Sequence, residues 1–481
     1  MKDMWLCLYL PQLPLNVYTR TSLAQQPLAI IEGQGNQQHV VSCNPSALHL
    51  GVTPGMRLSA AYALSGELLV KTRNTEAEYQ ALEQLAVWAG QFTSRIQLKP
   101  PFTLLLEIQG SSMLFGGITT LLSKIQHGLE ELGYIAQQAV AQTPAAAELL
   151  ARSGQEYALL QDHHLQSAVA ACRVQFLEVE ESIHEALISL GLRHVRDVLR
   201  LPRAGLNKRF GQAFVNYLDR LLGQAADPRP LFIAPEVFEQ RVEIPFPVDK
   251  TEPLLFVGQR LLLALSGFLR ARGGGTQTLH WTLFHEHSAR THFDITLVEV
   301  SRDAAHLVSL LKERLERLSL PATVHEMALR VTDVQTLVER SQALIDTPEN
   351  KTGTDTWQQL VERLCSRMGE ESVSGIQAHP DHRPERSWRY CAPGEAGPCA
   401  DYALRPLWLL EQPQRLEIRQ RQLFRHGYLQ LMSGPERIQS GWWDGNDVQR
   451  DYFIAQNPQG QRYWIYREVE GLRAWFVHGI F

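Results

Sequence analysis

The sequence predicts a multidomain α+β protein, and three observations lead there. Strand-like apolar runs alternate with amphipathic helical patterns over roughly residues 1–165, without the strict rhythm of a doubly wound sheet. Residues 238–331 read strand, helix, strand, strand, helix, strand, the order of a split ferredoxin-like unit. Six of the ten tryptophans (Trp388, Trp408, Trp442, Trp443, Trp464 and Trp475) fall after residue 385, among short strand patterns separated by Gly, Asn and Pro turns. At 481 residues and roughly 150 per domain, about three domains are expected, with room for a fourth.

Taken in order, residues 5–10 form an apolar run stopped by Pro11 and Pro14, the pattern of a buried strand, and 28–31 and 40–41 continue in that style. Residues 76–88 place Tyr79, Leu82, Leu85 and Ala86 at helical spacing. A strand follows at 102–108, ending at Gly110, then a helix at 118–132 that Gly133 stops. After a strand at 139–141, Thr143 caps a helix that begins at Pro144 and runs through Leu150. Residues 166–230 change texture, with short helical patterns at 183–190, 195–199 and 214–222 punctuated by Gly191, Pro202, Gly205, Gly211 and Gly223. The ferredoxin-like unit then reads as a strand at 242–246, a helix at 253–270, strands at 278–284 and 291–298, a helix at 304–318 and a strand at 325–331. Residues 341–356 are a polar linker, 357–368 a helix, and 377–397 an irregular connection dense in Pro, Gly, His and Arg. Short strands at 416–418, 452–455, 463–466 and 474–477 close the chain in a β-rich domain, with a turn at Asn457-Pro458-Gln459-Gly460.

Composition narrows the function. Hydrophobic residues at 44% and charged residues at 20% exclude wholesale disorder. The formal charge of -5 lacks the basic bias of a stand-alone nucleic-acid binder, so DNA contact must be local or assisted. Six scattered cysteines without a C-x-x-C pair suggest neither a disulfide framework nor zinc. With no signal-like N-terminus and no run approaching 18 apolar residues, a cytoplasmic protein with no membrane segment is expected.

No group of residues assembles a catalytic centre. Nucleotidyl transfer needs two or three carboxylates on divalent metals, yet the first strand has no acid and 102–108 offers only Glu107, which reads best as a strand-end acid facing solvent or pairing with an arginine. There is no phosphate-binding loop; Gly33-Gln34-Gly35 and Gly273-Gly274-Gly275 are turns. Asp162-His163-His164 and His285-Glu286-His287 read as surface, and Cys391 and Cys399 near His379 and His382 lack metal-ligand spacing. No cofactor or metal is expected. Gly191 sits in a glycine turn between short helices, as in a helix-hairpin-helix that points N–H groups at a DNA phosphate, or as a plain helix cap. Arg260, Arg270, Arg272 and Arg290 lie on or beside the first ferredoxin-like helix and the hairpin, and form either a solvated face or a DNA-tracking one.

Several segments together carry a resemblance: residues 6–15 (LCLYLPQLPL), 50–56 (LGVTPGM), 114–117 (LFGG), 139–144 (AVAQTP), 433–438 (SGPERI), 441–445 (GWWDG), 450–453 (RDYF) and 475–479 (WFVHG). On these the chain resembles the Y-family (UmuC/DinB-like) translesion DNA polymerases, and most closely their ImuB-type, polymerase-like branch from bacterial mutagenesis cassettes. The resemblance implies a right-hand architecture: palm and fingers over 1–165, a helical thumb over 166–233, a little finger over 234–340, a linker with a short helix over 341–384, and a β-rich interaction domain over 385–481.

Departures from active members imply lost catalysis. Leu8 or a neighbour stands where they carry a first-strand Asp, and Glu107 alone remains of an Asp-Glu pair. Leu48 stands where an Arg grips the triphosphate, and Glu148 where a palm-helix Lys does. The branch is regarded as a non-catalytic scaffold for damage tolerance that joins primer-template DNA, held weakly, to the sliding clamp, an alternative C-family polymerase subunit and the RecA-like accessory protein ImuA. A degenerate clamp-binding segment is expected at Gln342, Leu344 and Ile345, ahead of residues 420–424 (QRQLF), whose Leu and Phe are expected in the tail's core. Partner contact is expected at Trp442, Trp443 and Asp444, with at least one indole in the core, and DNA contact at Gly191, Arg270 and Arg272. The alternatives are a divergent active polymerase and a purely protein-binding scaffold.

Overall fold

The computed structural model describes residues 3–20, 26–154, 157–158, 162–286, 288–337, 354–393, 395 and 405–481. The chain divides into two compact units, Met1–Arg367 and Met368–Phe481. That boundary falls inside the expected linker 341–384, because the helix Thr354–Met368 packs on the first unit through Glu362, whose carboxylate accepts the Val298 N–H at 2.8 Å and pairs with His306.

At the centre of the first unit lies a sheet with the strand order Ile96–Lys99, Thr103–Glu107, Trp5–Tyr9, Gln137–Ala141, Tyr157–Ala158. The uninterrupted apolar run at Trp5–Tyr9 is read correctly as a strand covered on both faces. Alternation sorts its side chains: Leu6 and Leu8 join Leu104, Leu106 and Val140 beneath the helices Thr75–Ala89 and Ile118–Glu131. Trp5 and Cys7 join Leu105, Ala139 and Ala141 beneath the alanine-rich helix Pro144–Arg152. The Thr143 hydroxyl accepts the Ala146 N–H at 3.2 Å, the expected cap. A smaller sheet of Leu28–Glu32, His39–Cys43 and Leu69–Thr72 has its own core. The helical module, from Asp162–Ala171 to Gln212–Leu221, closes over the second face.

The body that the sequence reads as ferredoxin-like has the strand order Thr291–Ser301, Gly274–His285, Val324–Val331, Phe238–Val248, all antiparallel, which puts its second and fourth strands at the centre. Its helix Thr251–Ala271 passes the length and hydropathy test for a membrane span, but it is a core helix here. It docks on Thr75–Ala89 where Trp88 fills a notch left by two glycines. A Cβ would meet the indole at 2.4 Å from Gly128 and at 2.7 Å from Gly267.

In the second unit a five-stranded antiparallel sheet runs in the order Trp408–Arg415, Trp475–Ile480, Arg462–Glu468, Val448–Gln456, Gln430–Ser440. Where the sequence suggested an irregular connection, Gly375–Ala378 and Trp388–Cys391 pair as a hairpin. Its side chains are mostly exposed and leave no apolar alternation to read. The core is aromatic: Tyr452 stacks on Trp464 at 4.1 Å, and Tyr466 on Phe476 at 5.2 Å. Within it His478, 1% exposed, bonds the Tyr452 hydroxyl through Nδ1 at 2.7 Å.

Burial holds His478 at about 4, with Glu385 opposing and Arg450 assisting. The folded pKa lies below the unfolded value, so this contribution is full above about pH 6.5 and is lost as the unfolded chain gains the proton on the way down to about 4. Between pH 7 and 5, urea unfolding of the second unit followed by tryptophan fluorescence should lose about 2 kcal/mol more in the wild type than in His478→Gln. Parallel pH dependences would remove the histidine from the account.

Candidate functional sites

The register of the central sheet decides which residues share a face. Trp5 stands opposite Glu107, Leu8 opposite Leu104, and Tyr9 opposite Thr103. Directly paired residues project to one side, so Glu107 lies on the face of Trp5, Cys7 and Tyr9, while Leu8 points into the opposite core with no exposure. Leu8 and Glu107 therefore cannot flank one metal. Of the first-strand neighbours, Trp5, Cys7 and Tyr9 share the Glu107 face.

Glu107 is buried rather than facing solvent. Its Oε1 accepts the Gln109 N–H at 3.0 Å and its Oε2 lies 3.8 Å from Arg95, the arginine pairing anticipated above. Beyond the other end of the strand, Phe102 meets Tyr9 edge-on at 6.4 Å, Arg152 lies over Tyr9 at 5.6 Å, and Arg73 lies over Phe102 at 5.5 Å. Two aromatic rings and two guanidinium groups stack there. Among the described residues, no group of three or more His, Cys, Asp or Glu side chains could hold a metal ion; His287 and Cys399 lie outside those residues.

Glu148, on the helix Pro144–Arg152, is 2% exposed and sits among three cations: Lys99 at 2.6 Å, Arg152 at 3.2 Å and Arg229 at 3.7 Å. Lys99 also pairs with Glu178, and Arg229 with Asp227 at 2.7 Å. The carboxylate that stands where the resemblance implies a lysine is thus paired inside the protein. The Cys7 thiol is pushed up, chiefly by burial and further by Glu148. Leu48 is 53% exposed on the short helix Pro45–His49, which Asn44 caps through the Ala47 N–H at 2.9 Å.

The DNA-contact candidates separate. Gly191 adopts φ +73° and donates to Ile188 O at 2.9 Å, while Leu192 donates to Leu187 O at 3.1 Å. This is a helix C-cap. The next N–H groups, of Arg193 and His194, are taken by Asp197 at 3.3 and 3.0 Å. Arg272 bonds the Pro235 carbonyl and lies over Phe268 at 3.8 Å, whereas Arg270 is exposed. On the open face of the ferredoxin-like sheet the charges pair across strands: Arg241 with Glu326, Arg330 with Glu239 at 3.7 Å, and His280 with Asp294 at 2.9 Å.

In the second unit neither Trp442 nor Trp443 is core, contrary to expectation. They are 78% and 58% exposed and meet edge-on at 5.6 Å. Asp444 is exposed too, but its carboxylate binds the arginines beneath the turn. Arg383, 2% exposed, donates to Asp444 at 3.0 and 2.7 Å and to Asp381 at 3.1 and 2.7 Å, and Arg386 reaches Asp444 at 2.7 Å. The Arg383 hydrogen bonds above all hold Asp444 down at about 2. Gly441 adopts φ +93°, and a Cβ there would meet Asn446 O at 2.2 Å, so the turn admits only glycine. Sequence reading missed Arg383 because its partner lies 61 positions away. Gln342, Leu344 and Ile345 lie outside the described residues. Residues 420–424 form the turn and second strand of the hairpin Glu417–Arg419/Gln422–Phe424, with Leu423 and Phe424 half-buried.

Removing the anion from the Glu148 cluster takes away the carboxylate of Arg152 and leaves Lys99 and Arg229 with one carboxylate each. Glu148→Ala should cost the first unit about 3 kcal/mol. Glu148→Lys, which adds a further cation to the cluster, should cost more. Urea midpoints for Glu148→Lys equal to wild type would show that the cluster does not hold the fold.

Residues 15–152 match the impB/mucB/samB family (IMS). Protein ImuB from two strains of Caulobacter vibrioides is 28% identical over 459 residues, spanning 90% of this chain and 100% of the relative. Among solved structures, DinB from Sulfolobus solfataricus and the insertion ternary complex of Dbh DNA polymerase are each 16% identical with a TM-score of 0.39, covering 69% of this chain and 99% of theirs. The chain thus carries an impB/mucB/samB family domain at residues 15–152, within a longer similarity to ImuB.

Proposed function

We propose that this protein is a non-catalytic, Y-family polymerase-like scaffold of bacterial DNA-damage tolerance. On this reading it holds primer-template DNA weakly and tethers the sliding clamp, an alternative C-family polymerase subunit and an ImuA-type accessory protein, raising the local concentration of the polymerase that does the synthesis. The observation that carries it is the Glu148 cluster. Where active members present a lysine to a triphosphate, this chain presents a carboxylate already enclosed by Lys99, Arg152 and Arg229. The tie between Glu107 and Arg95 supports the same reading. The palm, thumb and little-finger roles of the segments and the clamp role of Gln342, Leu344 and Ile345 belong to this proposal. So does recruitment through Trp442 and Trp443, two exposed indoles on an ion-paired turn, the kind of side chain that dominates binding energy at interfaces.

A second reading, a scaffold without DNA contact, is favoured by the cross-strand charge pairing on the ferredoxin-like sheet, which leaves few free cations there for phosphates.

In primer extension with Mg²⁺ or Mn²⁺, the purified chain should incorporate no nucleotide. Template-directed synthesis that disappears in Glu107→Ala would overturn the scaffold reading. Binding to primer-template DNA should weaken as salt rises, and no binding at low salt would favour the second reading. Trp442→Ala and Trp443→Ala should each weaken partner capture tenfold or more, equivalent to about 1.4 kcal/mol, with primer-template binding intact. Undiminished capture by the folded variants would move the interface elsewhere.

A further inference from the structure

One short segment of the second unit concentrates positive charge that the chain as a whole lacks. Residues 415–428 hold Arg415, Arg419, Arg421 and Arg425 against one acid, Glu417, a local charge of +3 in a chain of -5. Glu417 is engaged by Arg419 at 2.7 Å, and Arg421 stands exposed at the tip of the hairpin. Arg425 bonds Gln414 at 2.7 Å and lies over Tyr463 at 5.3 Å. Beside the hairpin an open groove of about 880 Å³ is lined by Arg425, His426, Gln459, Gln461 and Arg462, with no Asp or Glu among its lining residues. The hairpin and the 457–462 turn are in close contact, since a Cβ on Gly427 would lie 2.7 Å from Pro458.

Aromatic surface is interleaved with these cations. Tyr428 is 41% exposed and meets Phe424 edge-on at 5.5 Å, and Arg419 lies over Phe424 at 4.0 Å. The backbone is strained at the same place. Gln420, Arg421 and His426 adopt φ of 52°, 63° and 52°, three of the four non-glycine residues with positive φ among those described. A two-residue turn of this kind ordinarily takes Asn-Gly, and each left-handed non-glycine residue costs on the order of 1 kcal/mol. Glycine would relieve the strain, but it would remove the arginine and imidazole side chains that the turn holds at the surface.

We propose that the groove between the 417–428 hairpin and the 457–462 turn binds single-stranded nucleic acid. Arg425 and Arg462 take phosphates in the groove and a base stacks on His426, while the exposed Arg421 and Tyr428 of the same hairpin segment extend the track beyond the groove's lining. Cationic side chains that track a backbone, set beside aromatic rings, suit a single strand, whose base faces are free. A duplex hides those faces and could use only the charges. The site lies in the second unit and does not depend on how the first unit treats primer-template DNA.

The test is fluorescence anisotropy of the full chain with an oligothymidylate of about 12 nucleotides, within the span one small β domain covers. The wild type should bind with an affinity that falls as salt rises. Arg421→Glu with Arg462→Glu should weaken that binding by about tenfold or more and keep the thermal unfolding of the second unit. Should that double variant not fold, Tyr428→Ala with Arg421→Gln serves instead, with an expected loss of fivefold or more for the oligothymidylate. Wild-type-like binding by the folded variants, or no oligothymidylate binding by the wild type at low salt, would overturn the proposal. A polyglutamate peptide that competes as well as the oligonucleotide while Tyr428→Ala is silent would also overturn it, assigning the groove to an acidic protein segment.

Discussion

Burying a strand on both faces leaves no room along it for a charge unless the opposite charge is buried too, and the first unit is built around such a strand. Trp5–Tyr9 sends Leu6 and Leu8 to one core and Trp5 and Cys7 to the other, each buried aliphatic side chain worth roughly 1.5–3 kcal/mol. The acids named beside this strand are matched: Glu107 with Arg95, and Glu148, which acts on Cys7 at the strand's middle, with Lys99, Arg152 and Arg229. A metal-dependent centre needs the reverse arrangement, uncompensated carboxylates that a cation would satisfy. In this sheet the carboxylates already have cationic partners within the protein.

The second unit solves a different problem, keeping large aromatic side chains in water without a disordered loop. Arg383 lies beneath the turn and engages Asp381 and Asp444 together, so two fixed carboxylates orient one guanidinium and the turn is pinned from below. Trp442 and Trp443 are then displayed with little rotational freedom in the backbone that carries them, which lowers the ordering cost of any contact they make. The arginine-bound Asp444 and the exposed indoles are parts of one device.

Apolar patterning made most of the architecture legible. The strand at residues 5–10, the helices at 76–88, 118–132 and 144–150, and the ferredoxin-like order all emerge within a few residues of their bounds, because each has one buried face and a period to match. The face on which Leu8 lies was not legible, since a run apolar at every position gives no parity; only its register against Thr103–Glu107 assigns it. The hairpin Gly375–Ala378/Trp388–Cys391 and the strand Gln430–Ser440 were missed because both expose most of their side chains. Arg383 and Lys99 were missed for another reason: their partners are distant in sequence, and a single arginine or lysine gives no local sign of the acid it will meet. The two indoles were recognised as unusual by their rarity, but composition alone could not say whether they faced inward or outward.

Net charge is a sum, and a sum conceals placement. The total of -5 argues against broad electrostatic attraction to nucleic acid, and the paired charges on the ferredoxin-like sheet agree with it. Affinity for a phosphate backbone depends on the cations left unpaired at the point of contact, because only those release counterions on binding. In the first unit Arg95, Arg152 and Arg229 are committed to internal carboxylates, while the groove beside residues 417–428 has no acidic side chain in its lining. A chain that is acidic overall can therefore carry a strongly cationic surface at one place. Here that place is a strained hairpin of the second unit, far along the sequence from the central sheet of the first.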